Sequence, residues 1–182
     1  MEAALRKKKH PVLLTLRIPA EGGQRAWKVA ERRALFLQLL PLVEAIDVEL
    51  ATAGAMQPVI DEARRTKKTV VLSAHAISKP ATSAQVVRWI GQFPPLPASI
   101  LKIAARIKSW RDLQQLAALL VNHPDWPLAV MGLGPYAGQS RAVLTALGSR
   151  LVYGYLDQPA APGQPSAADV RTMVLAVRNL RS

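Results

Sequence analysis

The chain alternates regularly between short apolar runs and longer stretches of helical periodicity. Six apolar runs rich in branched residues predict buried strands, over residues 12–17, 46–50, 69–74, 100–104, 128–131 and 151–155. Helical patterns follow these runs at residues 24–40, 56–66, 83–91, 110–121, 139–147 and 167–180. This alternation is typical of a parallel sheet whose strands are joined by helices. Because the strands are continuously apolar, we expect both faces of the sheet to be covered.

Two architectures fit the alternation, a doubly wound open sheet and a (β/α) barrel. A closed barrel of this kind has eight strands and typically about 250 residues, whereas this chain has 182. We expect a basic tail over residues 1–10, followed by a single barrel-like (β/α) domain over residues 11–182 with about six βα units. Glu21-Gly22-Gly23, after the first predicted strand, matches neither the dinucleotide-binding pattern nor the P-loop pattern.

The composition excludes several kinds of site. The chain has no cysteine, which excludes disulfides, thiolate metal ligands and thiol nucleophiles. Its three histidines, at positions 10, 75 and 123, are too scattered to predict a metal site. No apolar run approaches the roughly 20 residues of a membrane helix, and the basic start lacks the apolar stretch of a secretory signal. We therefore expect a cytoplasmic protein that binds no metal.

The charge balance is strongly basic, with 24 Lys and Arg against 12 Asp and Glu and a formal net charge of +12. A basic surface favours anionic partners, either a nucleic acid or an anionic metabolite. The positive charge is spread along the whole chain, and its only clusters are residues 6–9 and 64–68. No recognition-helix or RNA-binding motif accompanies them, so nucleic-acid binding is the less favoured alternative.

Polar groups occupy the predicted carboxyl ends of the strands, where parallel α/β folds place their chemistry. They are Arg17 with Glu21 beyond it, Glu49, His75, Lys102, and a glycine-rich loop leading to Arg141, with Gln164 after the last strand. Lys102 interrupts an apolar run, and burial lowers the pKa of a lysine until it becomes an amine nucleophile for carbonyl carbons. The alternatives for Lys102 are an exposed edge strand or an ion pair with Glu49.

His75 directly follows the third predicted strand. A histidine there can accept and donate protons near neutral pH. Glu21 could orient the imidazole, as the third member of a catalytic triad does. The alternatives are a histidine bonded to a backbone carbonyl and a carboxylate that belongs only to a loop.

An ordered set of short segments resembles type I 3-dehydroquinate dehydratase, from about Pro11 to the C-terminus. The segments are Thr15-Leu16-Arg17, Glu21-Gly22-Gly23, residues 46–50, 72–75 and 100–104, Ser140-Arg141, Gly148-Ser149 and Ala161-Pro162-Gly163-Gln164. The resemblance implies a TIM-barrel fold and a lyase of the shikimate pathway. Such an enzyme dehydrates 3-dehydroquinate, a small anionic metabolite, to 3-dehydroshikimate without a metal or a cofactor.

The resemblance also implies a role for each matching residue. Lys102 corresponds to the lysine that forms a Schiff base with the substrate ketone. His75 corresponds to the general acid/base that removes the C2 proton and later helps the C1 hydroxyl to leave, and Glu21 to the carboxylate that positions it. The substrate-binding set comprises Arg141, which grips the substrate carboxylate, Arg17 and Gln164, which hold substrate oxygens, and Glu49.

The sequence departs from the family pattern in three places. Two βα units that precede residue 12 in the family are missing, so we expect an N-terminally shortened barrel. Ala76 stands where the family has Asp, and Ala160 replaces a serine that contacts substrate. A barrel lacking two strands has open edges, near residues 12–17 and 151–155, and we expect a homodimer to cover them.

Three other functions remain alternatives to the lyase. An inactive homologue could act as a metabolite-binding or regulatory module, and the basic surface could bind nucleic acid. A different Schiff-base aldolase is disfavoured by the Ala161-Pro162-Gly163-Gln164 segment.

Overall fold

Five of the six apolar runs form strands in a computed structural model, which describes residues 2–93, 99–159 and 163–179. The strands are β1 Leu13–Thr15, β2 Ala45–Glu49, β3 Thr69–Ala76, β4 Ser99–Arg106 and β5 Leu128–Leu133. They form one parallel sheet in the order β1-β2-β3-β4-β5. In the first two pairs, Leu13 lies opposite Ala45, and Ile46 lies opposite Val70. The predicted α/β fold with a parallel sheet is confirmed.

Helices connect the strands as the periodicity predicts. They are α1 Glu2–Arg6, α2 Val29–Leu39, α3 Gln57–Arg65, α4 Ser83–Gln92, α5 Trp110–Asn122, α6 Ala137–Ala146 and α7 Ala167–Asn179. The predicted start of α2 at residue 24 is wrong. Lys28 is extended, with φ of −70° and ψ of 140°, so the helix begins at Val29.

The described chain falls into two compact units. One contains residues 2–74, 89–93 and 99–101, and the other contains residues 75–88, 102–159 and 163–179. Each has its own apolar interior: in the first unit Phe36, Leu39, Ile46, Val59, Ile60 and Val70, and in the second Ile103, Ile107, Leu113, Leu128, Val130 and Leu144. The single domain over residues 11–182 stays a prediction.

The residues expected to form a solvated basic tail are instead partly folded. Glu2–Arg6 form α1, in which Arg6 Nη2 lies 2.7 Å from Glu2 Oε1. Lys8 Nζ then donates to the Leu42 carbonyl oxygen at 2.6 Å and to both carboxylate oxygens of Glu44. The hydrogen bond from Lys8, together with that from the Val12 amide, lowers the pKa of Glu44. Glu44 thus anchors Lys8 and Val12, while Arg6 pairs with Glu2 within α1.

The predicted strand over residues 151–155 is wrong. Only Tyr155 makes a bridge there, to Ser166 at the start of α7. A Cβ on Gly154 would lie 2.6 Å from the Ala167 Cα atom, so the backbone of this segment packs closely against the first turn of α7. The neighbouring edge of β5 is occupied instead by Ser149, whose hydroxyl accepts from the Val130 amide at 2.9 Å.

Among the helices of the described residues, none combines the length and the apolar character needed to cross a membrane.

Candidate functional site

The predicted site residues divide between the two compact units. Arg17, Glu21 and Glu49 belong to the first unit, whereas His75, Lys102, Arg141 and Gln164 belong to the second.

Arg17 lies two residues beyond β1, with its guanidinium against two buried carboxylates. Its Nη2 lies 2.9 Å from Asp47 Oδ1, and its Nη1 lies 3.1 Å from Glu49 Oε1. Nη1 also donates to Ser73 Oγ at 2.7 Å, and that hydroxyl donates to Asp47 Oδ1 at 2.6 Å. The Arg17 side chain keeps 14% of its surface exposed, while both carboxylates are fully buried. The guanidinium of Arg17 is therefore paired with two buried carboxylates on one side and is accessible to solvent on the other.

Glu49, the last residue of β2, has all its acceptor positions filled by protein donors. Oε1 accepts from Arg17 Nη1 and from the Ile18 amide, each at 3.1 Å. Oε2 accepts from Arg32 Nη2 and, at 3.1 Å, from the Thr52 hydroxyl. The place of Glu49 in the substrate-binding set stays a prediction, and its contact with Arg17 connects it to a partly exposed side chain of this cluster.

The turn after β1 explains the glycines of Glu21-Gly22-Gly23. Pro19–Glu21 form one 3-10 turn, and Gly22 follows with φ of 95°. A Cβ on Gly23 would lie 2.0 Å from the Arg17 carbonyl oxygen. Only glycines allow the chain to fold back this closely. The turn and Arg17 line a cavity of about 330 Å³, and Glu21 is half-buried beside it.

Lys102 lies in the middle of β4 rather than at its end, because the strand continues to Arg106. The residue is 7% exposed, and β4 lies between two other strands, so the alternative of an exposed edge strand is wrong. Its Nζ lies 4.5 Å from the ring centroid of Tyr153. A cation over a tyrosine ring is attracted by the ring quadrupole, more strongly where water is excluded.

Arg141, on α6, is a buried guanidinium that bonds to neutral oxygens. Nη1 donates to the Gly132 carbonyl oxygen at 2.7 Å and to Ser140 Oγ at 3.2 Å, and Nε donates to the Tyr153 carbonyl oxygen at 3.2 Å. It is 3% exposed, and none of the ion pairs within the described residues includes it. Burial lowers the pKa of Arg141 to about 10. A buried cation without an acidic partner is suited to binding a carboxylate.

His75 is the seventh of the eight residues of β3, so it lies inside the strand rather than after it. It is half-buried, as is Ala76 at the strand end. Gln164 is also half-buried and follows Gly163, whose φ is 74°. A Cβ on Gly163 would lie 2.3 Å from the Gly134 carbonyl oxygen, so the turn before Gln164 rests on the loop between β5 and α6. Ala160, Ala161 and Pro162 lie outside the described residues.

Arg32 and Tyr153 are among the residues of these clusters that the sequence analysis missed. Arg32 shares the buried face of α2 with Phe36 and Leu39, and this helical spacing was the available signal. Tyr153 lay in a wrongly predicted strand and carried no signal of its own. Within the three described segments, no group of three or more His, Asp or Glu residues could hold a metal ion.

The chain matches the family model described as type I 3-dehydroquinase over residues 1–180. It is 29% identical over 168 residues to the 3-dehydroquinate dehydratase of Enterococcus faecalis, covering 88% of this chain and 66% of that one. The enzyme of the same name from Thermodesulfovibrio yellowstonii is 26% identical over 170 residues, covering 93% and 74%. The chain thus spans about two thirds to three quarters of the length of these curated relatives.

Solved structures of 3-dehydroquinate dehydratases also superpose on this chain. The 3-dehydroquinate dehydratase from Geobacillus kaustophilus superposes with a TM-score of 0.85 at 25% identity, over 94% of this chain and 69% of that one. The type I enzyme from Clostridium difficile, described with covalent modified comenic acid, gives a TM-score of 0.82 at 25% identity, over 93% and 70%.

Proposed function

The chain belongs to the type I 3-dehydroquinase family, and we propose that it is itself a 3-dehydroquinate dehydratase. The proposed reaction removes water from 3-dehydroquinate to give 3-dehydroshikimate, through a Schiff base on Lys102 and without a metal or cofactor. A cytoplasmic location is part of the proposal, supported by a sequence with no cysteine and hence no disulfide to form in an oxidising compartment.

One observation carries the proposal: Tyr153 contacts both an amine and a guanidinium in the second unit. Its ring lies 4.5 Å from Lys102 Nζ, and its carbonyl oxygen accepts from Arg141 Nε at 3.2 Å. Lys102, the proposed nucleophile for a ketone, and Arg141, the proposed binding group for a carboxylate, thus both contact Tyr153. A keto acid presents these two groups together, which supports a keto acid as the substrate.

Lys102 would supply the covalent step. Its neutral amine adds to the C3 carbonyl carbon, and loss of one water gives a protonated imine. The imine withdraws electrons from C2, so the proton there becomes more acidic and the enamine that follows is stabilised. The attack requires the neutral form of the amine. The covalent acid carried by the Clostridium difficile relative supports covalent chemistry in this family.

His75 would move the protons. As a general base it takes the C2 proton, and as a general acid it returns a proton to the C1 hydroxyl, which leaves as water. Hydrolysis of the imine then consumes one water, so the overall reaction releases one water per substrate. We propose Glu21 as the carboxylate that positions the imidazole.

The substrate would be held by cations and one amide. Arg141 is proposed to bind the substrate carboxylate, since it is buried and has no acidic partner within the residues described. Arg17 and Gln164 are proposed to bind substrate oxygens, and Arg17 borders a cavity of about 330 Å³. Glu49 completes the set by holding Arg17 at 3.1 Å.

Trapping with borohydride tests the proposal directly. Reduction in the presence of 3-dehydroquinate should add the mass of the reduced ligand to the protein, and peptide mapping should locate it on Lys102. In parallel, absorbance should grow from the conjugated enone of the product.

Lys102→Met should abolish both the adduct and the absorbance change. Lys108→Met is the matched control, because Lys108 is exposed just beyond β4, and it should leave both unchanged. A folded parent protein that binds 3-dehydroquinate without adduct or turnover would instead support the metabolite-binding alternative.

A further inference from the structure

Arg32 is a buried arginine that the proposed mechanism does not use. It is 2% exposed, on the inner face of α2. Its Nε donates to the Leu16 carbonyl oxygen at 2.9 Å, and its Nη1 donates to Thr52 Oγ1 at 3.0 Å. Its Nη2 forms a short ion pair with Glu49 Oε2. A single side chain thus connects α2 to the end of β1, to β2 and to the 3-10 turn after β2.

These contacts hold the backbone on both sides of Arg17, at Leu16 and at Ile18. Arg32 holds the Leu16 carbonyl, immediately before Arg17, and it holds Glu49 through Oε2. The other oxygen of Glu49 accepts from the Ile18 amide, immediately after Arg17, and from Arg17 Nη1. The backbone on each side of Arg17 and its guanidinium are therefore tied to one ion pair.

The charges of this cluster also depend on Arg32. Arg17 and Arg32 face Asp47 and Glu49, so the four formal charges sum to zero. Removal of Arg32 would leave the buried Glu49 with Arg17 as its arginine partner, and Arg17 also contacts Asp47. Breaking a buried ion pair by removing one partner is costly, because the remaining charge keeps little solvation. The excess negative charge would also repel an anion approaching Arg17.

We propose that Arg32 is a positioning residue that keeps Arg17 competent to bind anionic substrate, by anchoring and neutralising Glu49. This inference rests on the proposed function, in which Arg17 holds substrate oxygens. Arg32 itself touches no substrate. Its loss should therefore weaken binding without changing the chemistry on Lys102.

Arg32→Met is the first test, since methionine keeps the unbranched apolar stem and removes the charge. KM for 3-dehydroquinate should rise at least about tenfold while kcat stays within about threefold, as expected when binding common to ground and transition states is lost. Calorimetric titration with 3-dehydroquinate should show the same loss of affinity without relying on turnover.

A second substitution, Glu49→Gln, shows whether the effect of Arg32→Met comes from the lost charge or from altered packing. Glu49→Gln alone should raise KM, because the new amide donors would face Arg32 Nη2. Combined with Arg32→Met, the same glutamine can accept from Arg17 and Ile18 and donate to Thr52, and the buried charges balance again. The double variant should bind 3-dehydroquinate more tightly than Arg32→Met does, with a lower KM.

Arg33→Met is the matched control. Arg33 is the next residue on α2, carries the same charge and donates only to the Ala55 carbonyl oxygen, at 2.8 and 2.6 Å. It should leave KM unchanged. If Arg32→Met does not fold, the double variant decides, because it leaves no excess buried charge.

The outcomes distinguish this inference from the proposed function. An inactive parent that fails to bind 3-dehydroquinate overturns the function and the inference with it. An active parent with unchanged KM in Arg32→Met overturns the inference alone. A double variant that binds no better than Arg32→Met, or does not fold, also overturns it, because packing would then explain the effect.

Discussion

Three buried or nearly buried arginines differ in what surrounds their charge. Arg17 and Arg32 face carboxylates, with which they form ion pairs. Arg141 bonds instead to two carbonyl oxygens and one hydroxyl. Desolvation without a counter-ion lowers the pKa of Arg141 to about 10. Its environment thus leaves the charge available to an incoming anion, and makes that charge sensitive to alkaline pH.

The affinity for substrate carboxylate should therefore fall at alkaline pH. A group whose pKa is lowered to about 10 keeps its proton below that pH and loses it above. The test ligand is an analogue of 3-dehydroquinate with a hydroxyl in place of the C3 ketone, so that Lys102 has no carbonyl carbon to attack. Its dissociation constant should stay constant from about pH 7 to 9. It should double near pH 10 and rise about tenfold for each further pH unit. Calorimetry across this range measures it.

Arg141→Met provides the control for this titration. Without the guanidinium, binding should be weak at neutral pH and should show no inflection near pH 10. Affinity in Arg141→Met equal to that of the parent protein at neutral pH would contradict a carboxylate role for Arg141.

Sequence reasoning predicted site residues where a polar residue interrupted an apolar pattern. Lys102 stood out because it lies within a strand, and its burial to 7% agrees with that argument. Arg32 did not stand out, because it lies between Glu31 and Arg33 in a run that is typical of a solvated helix face. Its burial depends on Glu49, which is 17 residues away in sequence. The ion pair itself leaves no local pattern, so the helical spacing of Arg32 from Phe36 and Leu39 was the available signal.

The helices and strands could be predicted from the sequence where the spacing of apolar residues determines them. Helices α3 to α7 begin within two residues of their predicted positions, because each carries an apolar face. The run at 151–155 is apolar as well, yet it forms no strand. Its backbone groups bond to α6 and to the start of α7 instead, through Arg141 Nε and Ser166–Ala167. The run is half-buried, and the partners available to its backbone decide whether such a run becomes a strand.

The turn at Gly163 is the element most sensitive to a single added carbon. Gly163→Ala would place a Cβ 2.3 Å from the Gly134 carbonyl oxygen, at a φ of 74° that disfavours side chains. We expect the turn and Gln164 to shift, with a loss of about 1–3 kcal/mol in the free energy of unfolding. KM for 3-dehydroquinate should rise as well. Denaturant unfolding and steady-state kinetics measure the two effects.

Gly138→Ala is the matched substitution for this prediction. Gly138 lies in α6, and a Cβ there would meet nothing within 4 Å. Alanine should therefore leave KM unchanged and stabilise the helix by up to about 1 kcal/mol. Equal effects of the two substitutions would mean that the close approach to Gly134 has no consequence.

At the scale of the whole molecule, the excess of positive charge lies mainly outside the buried clusters. The four buried charges around Glu49 cancel, so they contribute nothing to the net charge of +12. Charged surfaces of one sign repel one another, and salt screens this repulsion over about 10 Å at 0.1 M. Self-association of this chain should therefore depend on ionic strength.

We expect a homodimer that covers the open edges near residues 12–17 and 151–155. Light scattering should give twice the 19.8 kDa chain mass, with a dissociation constant that falls as salt is raised. Leu156, which is 87% exposed beside the segment expected at one edge, should lie in the contact, so Leu156→Glu should favour the monomer. Val87→Glu makes the same charge change at an exposed position of α4 and should not. A monomer at every salt concentration would refute the dimer.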